Sequence, residues 1–191
     1  MCYNLKKLLQ IVLVNLQKNQ IMNVQEDLKT YFEANPISKF KHLAQIKSWE
    51  LVNDTFLSIS FYVEGIWKNY LYSFLWLEKD QLLKLTCEYN FNLPKNKNTS
   101  FYRTLNLANE RCGEGYFTFC ENEQVLVFHN QYKGTDALEI ENKRTKEIIF
   151  ETTSIMDELY PVFQLISWGN ESPDVAIKLA SNASNHSSGF N

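Results

Sequence analysis

The sequence predicts an α+β fold: an antiparallel sheet of about five strands with helices on one face, in the order α-β-β-β-α-β-β-α. A further helical extension is expected at the N-terminal end. Three observations carry the prediction. Period-two alternation recurs three times between Thr55 and Phe91, with short turn signals between the runs. Two shorter runs, Tyr116–Cys120 and Gln124–Asn130, face each other across Glu121-Asn122-Glu123 as a hairpin. A long apolar stretch of helical period, SIMDELYPVFQLISWGNESPDVAIKL from Ser154 to Leu179, then supplies a greasy face for the sheet to cover.

Each element has its own signal. Residues 1–21 place Leu5, Leu9, Val12 and Leu16 on one helical face, so this stretch reads as an extension, or as chain upstream of a true start at Met22. Asn23 and Glu26 have capping-box spacing, and a stripe of Val24, Leu28, Tyr31 and Phe32 follows, with Pro36 read as its end. A short strand is placed at Ile46–Leu51. Thr55–Val63 sets Leu57, Ile59, Phe61 and Val63 against Phe56, Ser58, Ser60 and Tyr62. Trp67–Leu77 is apolar on both faces, which marks a central strand expected to be buried on both. Leu82–Phe91 sets Leu83, Leu85, Cys87, Tyr89 and Phe91 against Lys84, Thr86, Glu88 and Asn90. Short connections between these strands imply an antiparallel meander.

After Pro94, Thr99 or Ser100 is placed as the cap of a helix carrying Tyr102, Leu105, Ala108, Asn109 and Cys112, stopped by Gly113 and Gly115. The last long helix has Ile148, Thr152, Ile155, Leu159 and Phe163 on one face. Pro161 is expected to bend it or break it in two. Gly169 ends it, and Ser172-Pro173 starts a short packing helix. The expected organisation is one domain over residues 22–180 and a disordered, low-complexity tail over 181–191.

The composition excludes several classes. A hydrophobic fraction of 45% with 14% aromatics is that of a folded chain. The formal net charge of -3 gives no general attraction to nucleic acid or anionic membranes. The apolar run Leu8–Val14 is far short of the roughly 18 residues that a membrane span needs. Four sparse cysteines do not make a disulfide framework, and a cytoplasmic location follows as the expectation.

No catalytic constellation emerges. Cys112, Cys120 and His129 lack zinc-site spacing, and His42 and His186 are scattered. Cys112 is placed at a helix C-terminus, where the dipole disfavours a thiolate. Asp157 and Glu158 are adjacent on a helix, so they diverge and read as solvated surface. The glycines of GEGYF follow a helix and lead into a strand, the reverse of a phosphate cradle. Lys95/Lys97 and Lys143/Arg144/Lys146 read as solvated surface. The expectation is a protein without enzymatic activity, cofactor or metal. One surplus remains: Tyr70, Tyr72, Phe74 and Trp76 on one strand face exceed what a small core usually needs. They are either a second buried layer or a partner or dimer surface.

Two segments also carry a resemblance, LNLANERCGEGYFTFCENEQVLVFHNQ and DELYPVFQLISWGNESPDVAIKLA. Asn109, Gly115, Phe117, Val127, Phe128, Tyr160, Pro161, Trp168, Gly169, Ser172 and Pro173, with Gly65-Ile66-Trp67 upstream, resemble the motifs of the YbjN family of bacterial sensory transduction regulators. His129 stands where that family often has Arg, and Glu171 where Lys is common. The resemblance implies a fold similar to type III secretion chaperones, often dimeric, and no established enzymatic activity. The functional expectation is a regulator that binds an unidentified protein partner, as a homodimer and without nucleic acid or stable membrane insertion. The alternatives are a chaperone holding an unfolded or secreted client segment, and a small-ligand protein or enzyme with a pocket under the long helix.

Overall fold

A computed structural model describes residues 35–134, 140–169 and 171–179. The expected extension over 1–21, the helix from Asn23 and the tail over 181–191 lie outside them. The described elements are α1 (Ile37–Lys47), β1 (Leu51–Asp54), β2 (Ser58–Glu64), β3 (Asn69–Leu77), β4 (Leu82–Asn90), α2 (Asn98–Arg111), β5 (Tyr116–Cys120), β6 (Val125–Lys133) and α3 (Asn142–Trp168). Residues 173–179 form a last short helix, α4. The strands make one antiparallel sheet in the order β1-β2-β3-β4-β6-β5. The α+β class and the antiparallel meander therefore stand, with six strands in place of about five.

The added strand is β1, which follows a helix, α1, that was not expected from the sequence. Pro36 occupies the N-cap position of α1, where its missing N–H costs nothing. The preceding Asn35 fixes the entry. Its Oδ1 accepts the Ile37 N–H at 2.9 Å and its Nδ2 donates to the Phe56 carbonyl at 2.6 Å. Ser48 closes α1 in the left-handed region. The strand placed at Ile46–Leu51 is thus the end of α1 and its exit, and the chain enters the sheet at Leu51.

Among the described residues, the helices cover one face of the sheet. Ile59, Phe61, Tyr72, Phe74, Leu83, Leu85, Leu126 and Phe128 point into this layer and are buried. Phe40 of α1 stacks on Phe74 with ring centroids 3.8 Å apart. Phe101 of α2 stacks on Phe91 at 5.3 Å and meets Phe163 of α3 at 5.6 Å. The opposite face of β3 is more open than its apolar character suggested, with Leu75 42% exposed.

Two family-like positions have direct physical roles here. Asn109 of α2 accepts the Phe117 N–H at 2.6 Å and donates to the Phe117 carbonyl at 3.1 Å. Its amide thereby closes the outer edge of β5, as a neighbouring strand would. Gly115 has φ +86°, and a methyl there would stand 2.5 Å from the His129 carbonyl, so no larger residue fits this turn.

The long helix α3 runs unbroken through Pro161 for 27 residues. It buries Ile148, Thr152, Met156, Leu159, Val162, Phe163 and Ile166. The bond that proline removes is replaced from another element, described below. Among the described residues, one buried side-chain oxygen has no hydrogen-bond partner, Tyr89 Oη.

Candidate functional site

The site begins with the missing N–H of Pro161. In a regular helix that N–H would bond to the carbonyl four residues earlier, that of Asp157. The freed carbonyl instead accepts the indole N–H of Trp67 at 3.0 Å. The Asp157 carboxylate faces the same way. Its two oxygens each lie 3.0 Å from the Ile66 backbone N–H, and Oδ1 accepts the Tyr70 hydroxyl at 2.6 Å. Burial, and then the bond to Asp157, push the Tyr70 hydroxyl well above its ordinary range, so it stays a donor.

Asp157 is therefore not the solvated surface carboxylate expected from its spacing. It clamps the β2–β3 turn onto α3. Gly65 allows the approach, because a methyl there would overlap the Tyr70 ring and stand 2.7 Å from Asp157 Oδ1. Charge-assisted bonds of this kind are about twice as strong as neutral ones. The neighbouring Glu158 diverges, as expected, toward Cys112.

The clamp sets Trp67 against Tyr160, with ring centroids 6.1 Å apart and planes 11° from parallel. From there an open groove of about 540 Å³ runs along Tyr160, Pro161, Gln164, Leu165, Trp168 and Gly169. Trp168 is 80% exposed and Trp67 53% exposed. Outside the lining, Lys97 donates to the Gly169 carbonyl at 2.6 Å. The stretch from Leu159 to Asn170 contains no charged residue. Exposed, contiguous and rigidly seated apolar surface of this type marks interaction sites.

The aromatic face read as either a buried layer or a partner surface lies apart from the groove. Tyr70, Tyr72, Phe74 and Trp76 are all buried inside the chain, at no more than 4% exposure. The Tyr72 hydroxyl lies 2.7 Å from Thr153 Oγ1 and 3.2 Å from the Ile149 carbonyl, both on α3. The aromatic surplus is core covered by α1 and α3, and the groove takes its place as the candidate surface. A signal for the groove did exist. Tyr160, Gln164 and Trp168 recur every four residues, on a stripe separate from Leu159, Val162, Phe163 and Ile166.

The other singled-out residues do not converge on chemistry. His129 stacks on Tyr116 with centroids 4.9 Å apart, its Nε2 is 2.8 Å from Thr118 Oγ1, and burial lowers its pKa. Burial raises the Cys87 thiol well above its usual value and pushes Cys112 up to about 11. Both shifts run against a nucleophilic thiolate. Among the described residues, no group of three His, Cys, Asp or Glu side chains is placed to hold a metal ion. Arg144 pairs with Glu147 at 3.4 Å and Glu151 at 2.9 Å, as solvated helix surface does. No described helix is long and apolar enough to cross a membrane.

Residues 43–164 match the model of the YbjN family, described as "Putative bacterial sensory transduction regulator". No curated protein and no solved structure matches the chain.

Proposed function

From the premise that the chain belongs to the YbjN family, we propose that it is a non-enzymatic regulator acting by protein–protein binding through the groove at Trp67, Tyr160 and Trp168. The observation that carries this reading is Trp168. A tryptophan 80% exposed at the end of a long helix adds nothing to the core beneath it. Aromatic side chains seated in this way are the usual anchors of protein interfaces.

The occupant we assign is an apolar, uncharged segment of another protein. A charge on that segment would lose its water against Tyr160, Pro161 and Leu165 without meeting a counter-charge between Leu159 and Gly169. The chaperone and homodimer readings draw on the same apolar surface, and the test distinguishes them.

The native chain and Trp168→Ala are each used to retain proteins from a bacterial lysate. Any protein held by the native chain alone is then purified and titrated directly. The expected result is one folded partner whose affinity falls by about thirtyfold in Trp168→Ala, the size of an interface hot spot. Retention of the same proteins by both chains contradicts the reading. Binding of unfolded clients alone would favour the chaperone. A doubled mass in light scattering, abolished by Trp168→Ala, would assign the groove to a second copy.

A further inference from the structure

A second, separate cleft of about 280 Å³ lies beside the middle of α3. One wall is α3 from Glu151 to Leu159, the facing wall is the turn from Arg111 to Glu114, and the floor is the inward side of β6. Phe128, Ile155 and Leu159 make part of it apolar. Three carboxylates line it, Glu114, Glu151 and Glu158, of which Glu151 is held by Arg144 at 2.9 Å; the one guanidinium in the lining, Arg111, donates to the Ile177 carbonyl at 3.3 Å.

Thr152 supplies an independent pointer. It is 2% exposed and lines this cleft. The other buried or half-buried serine and threonine hydroxyls of α3 bond back to helix carbonyls: Thr145 to Asn142, Thr153 to Ile149 and Ser167 to Phe163, all at 2.8–2.9 Å. Thr152 makes no such bond, and its hydroxyl is not sealed in the core as Tyr89 Oη is. An interior hydroxyl left without a partner is destabilising, so one turned to a cleft is suited to a ligand. Tyr132 offers another. Burial pushes its hydroxyl up to about 12, so it keeps its proton, and it accepts a bond from Asn130 Nδ2 at 3.4 Å.

We propose that this cleft binds a small organic ammonium ion. The carboxylates of Glu114 and Glu158 supply the counter-charge, Thr152 Oγ1 supplies a neutral acceptor, and the apolar body of the ligand lies on Phe128, Ile155 and Leu159. An ammonium has three donors and no acceptor, which suits a site richer in acceptors than donors. A partly apolar floor selects an organic cation over a bare one. The inference is independent of the groove, which shares none of these residues.

The test is an NMR titration of the full-length, ¹⁵N-labelled chain with n-hexylamine, with hexanoate and hexanol as matched probes. Hexylamine is expected to give saturable shifts centred on Glu114, Asn130, Thr152 and Glu158, and hexanoate none. Glu158→Gln is expected to weaken hexylamine about tenfold, the loss that goes with a hydrogen bond to a charged group. The near-isosteric Thr152→Val is expected to weaken it while the rest of the spectrum keeps its native dispersion. Trp168→Ala, which removes the groove's anchor, leaves the titration unchanged. The proposal is overturned by the absence of saturable shifts, by equal binding of hexanoate or hexanol, or by indifference to both cleft variants.

Discussion

The two halves of α3 differ in the charge on their outward faces, although Phe150 in the first half is itself 73% exposed. Up to Glu158 the helix carries Lys143, Arg144, Lys146, Glu147, Glu151, Asp157 and Glu158, and its solvent side is laced with ion pairs such as Arg144–Glu151. From Leu159 to Trp168 it carries no charge, and its solvent side presents Tyr160, Gln164 and Trp168. Both halves bury comparable stripes underneath, Ile148 and Met156 in the first and Val162 and Ile166 in the second. The core therefore does not account for the contrast. A charged outer face keeps a helix in water, whereas an aromatic outer face is a liability unless something covers it. The junction, Asp157 to Pro161, is where the β2–β3 turn is tied down.

Three substitutions probe that contrast, in order of expected effect. Asp157→Ala removes the acceptor of the Ile66 N–H and of the Tyr70 hydroxyl and leaves a largely buried phenol unpaired. A loss of about 3 kcal/mol in urea-unfolding stability is expected, together with greater mobility of the Trp67 ring. Trp67→Phe keeps a ring against Tyr160 but removes the indole donor, leaving the Asp157 carbonyl unpaired. The expected loss is about 1 kcal/mol, measured the same way. Arg144→Ala breaks two exposed ion pairs in the first half and is expected to cost about 0.5 kcal/mol, shrinking further as salt is added. If Arg144→Ala cost more than Asp157→Ala, the distinction between a solvated half and a tied-down half would fail.

Much of the fold was legible because the strands alternate cleanly and their connections are short. Ile59–Val63 and Leu83–Phe91 have one apolar face each, and both turn that face inward. Pro36 was not legible as a helix start. A proline can stop one helix and begin another by the same chemistry, and the start of α1 is tied down by the Asn35 bond to Phe56, twenty-one residues away. Local spacing cannot show such a contact. The aromatic face of β3 stayed open between buried layer and partner surface for a related reason. Tyr70, Tyr72, Phe74 and Trp76 look like a surplus until α1 is known to lie over them, and α1 was not expected there. Asp157 looked solvated because its partners, Ile66, Trp67 and Tyr70, are about ninety residues away in the chain. Pro161 held an unused clue, since an interior proline that leaves the helix unbroken frees a carbonyl for some other donor.

The groove account stands or falls most directly on Trp168→Ala, with unfolding stability and partner affinity measured on the same preparation. The expected result is a stability within about 0.5 kcal/mol of the native chain and a loss of partner binding of about thirtyfold. A stability loss above about 2 kcal/mol, with partner affinity unchanged, would show that Trp168 serves the fold and not a partner.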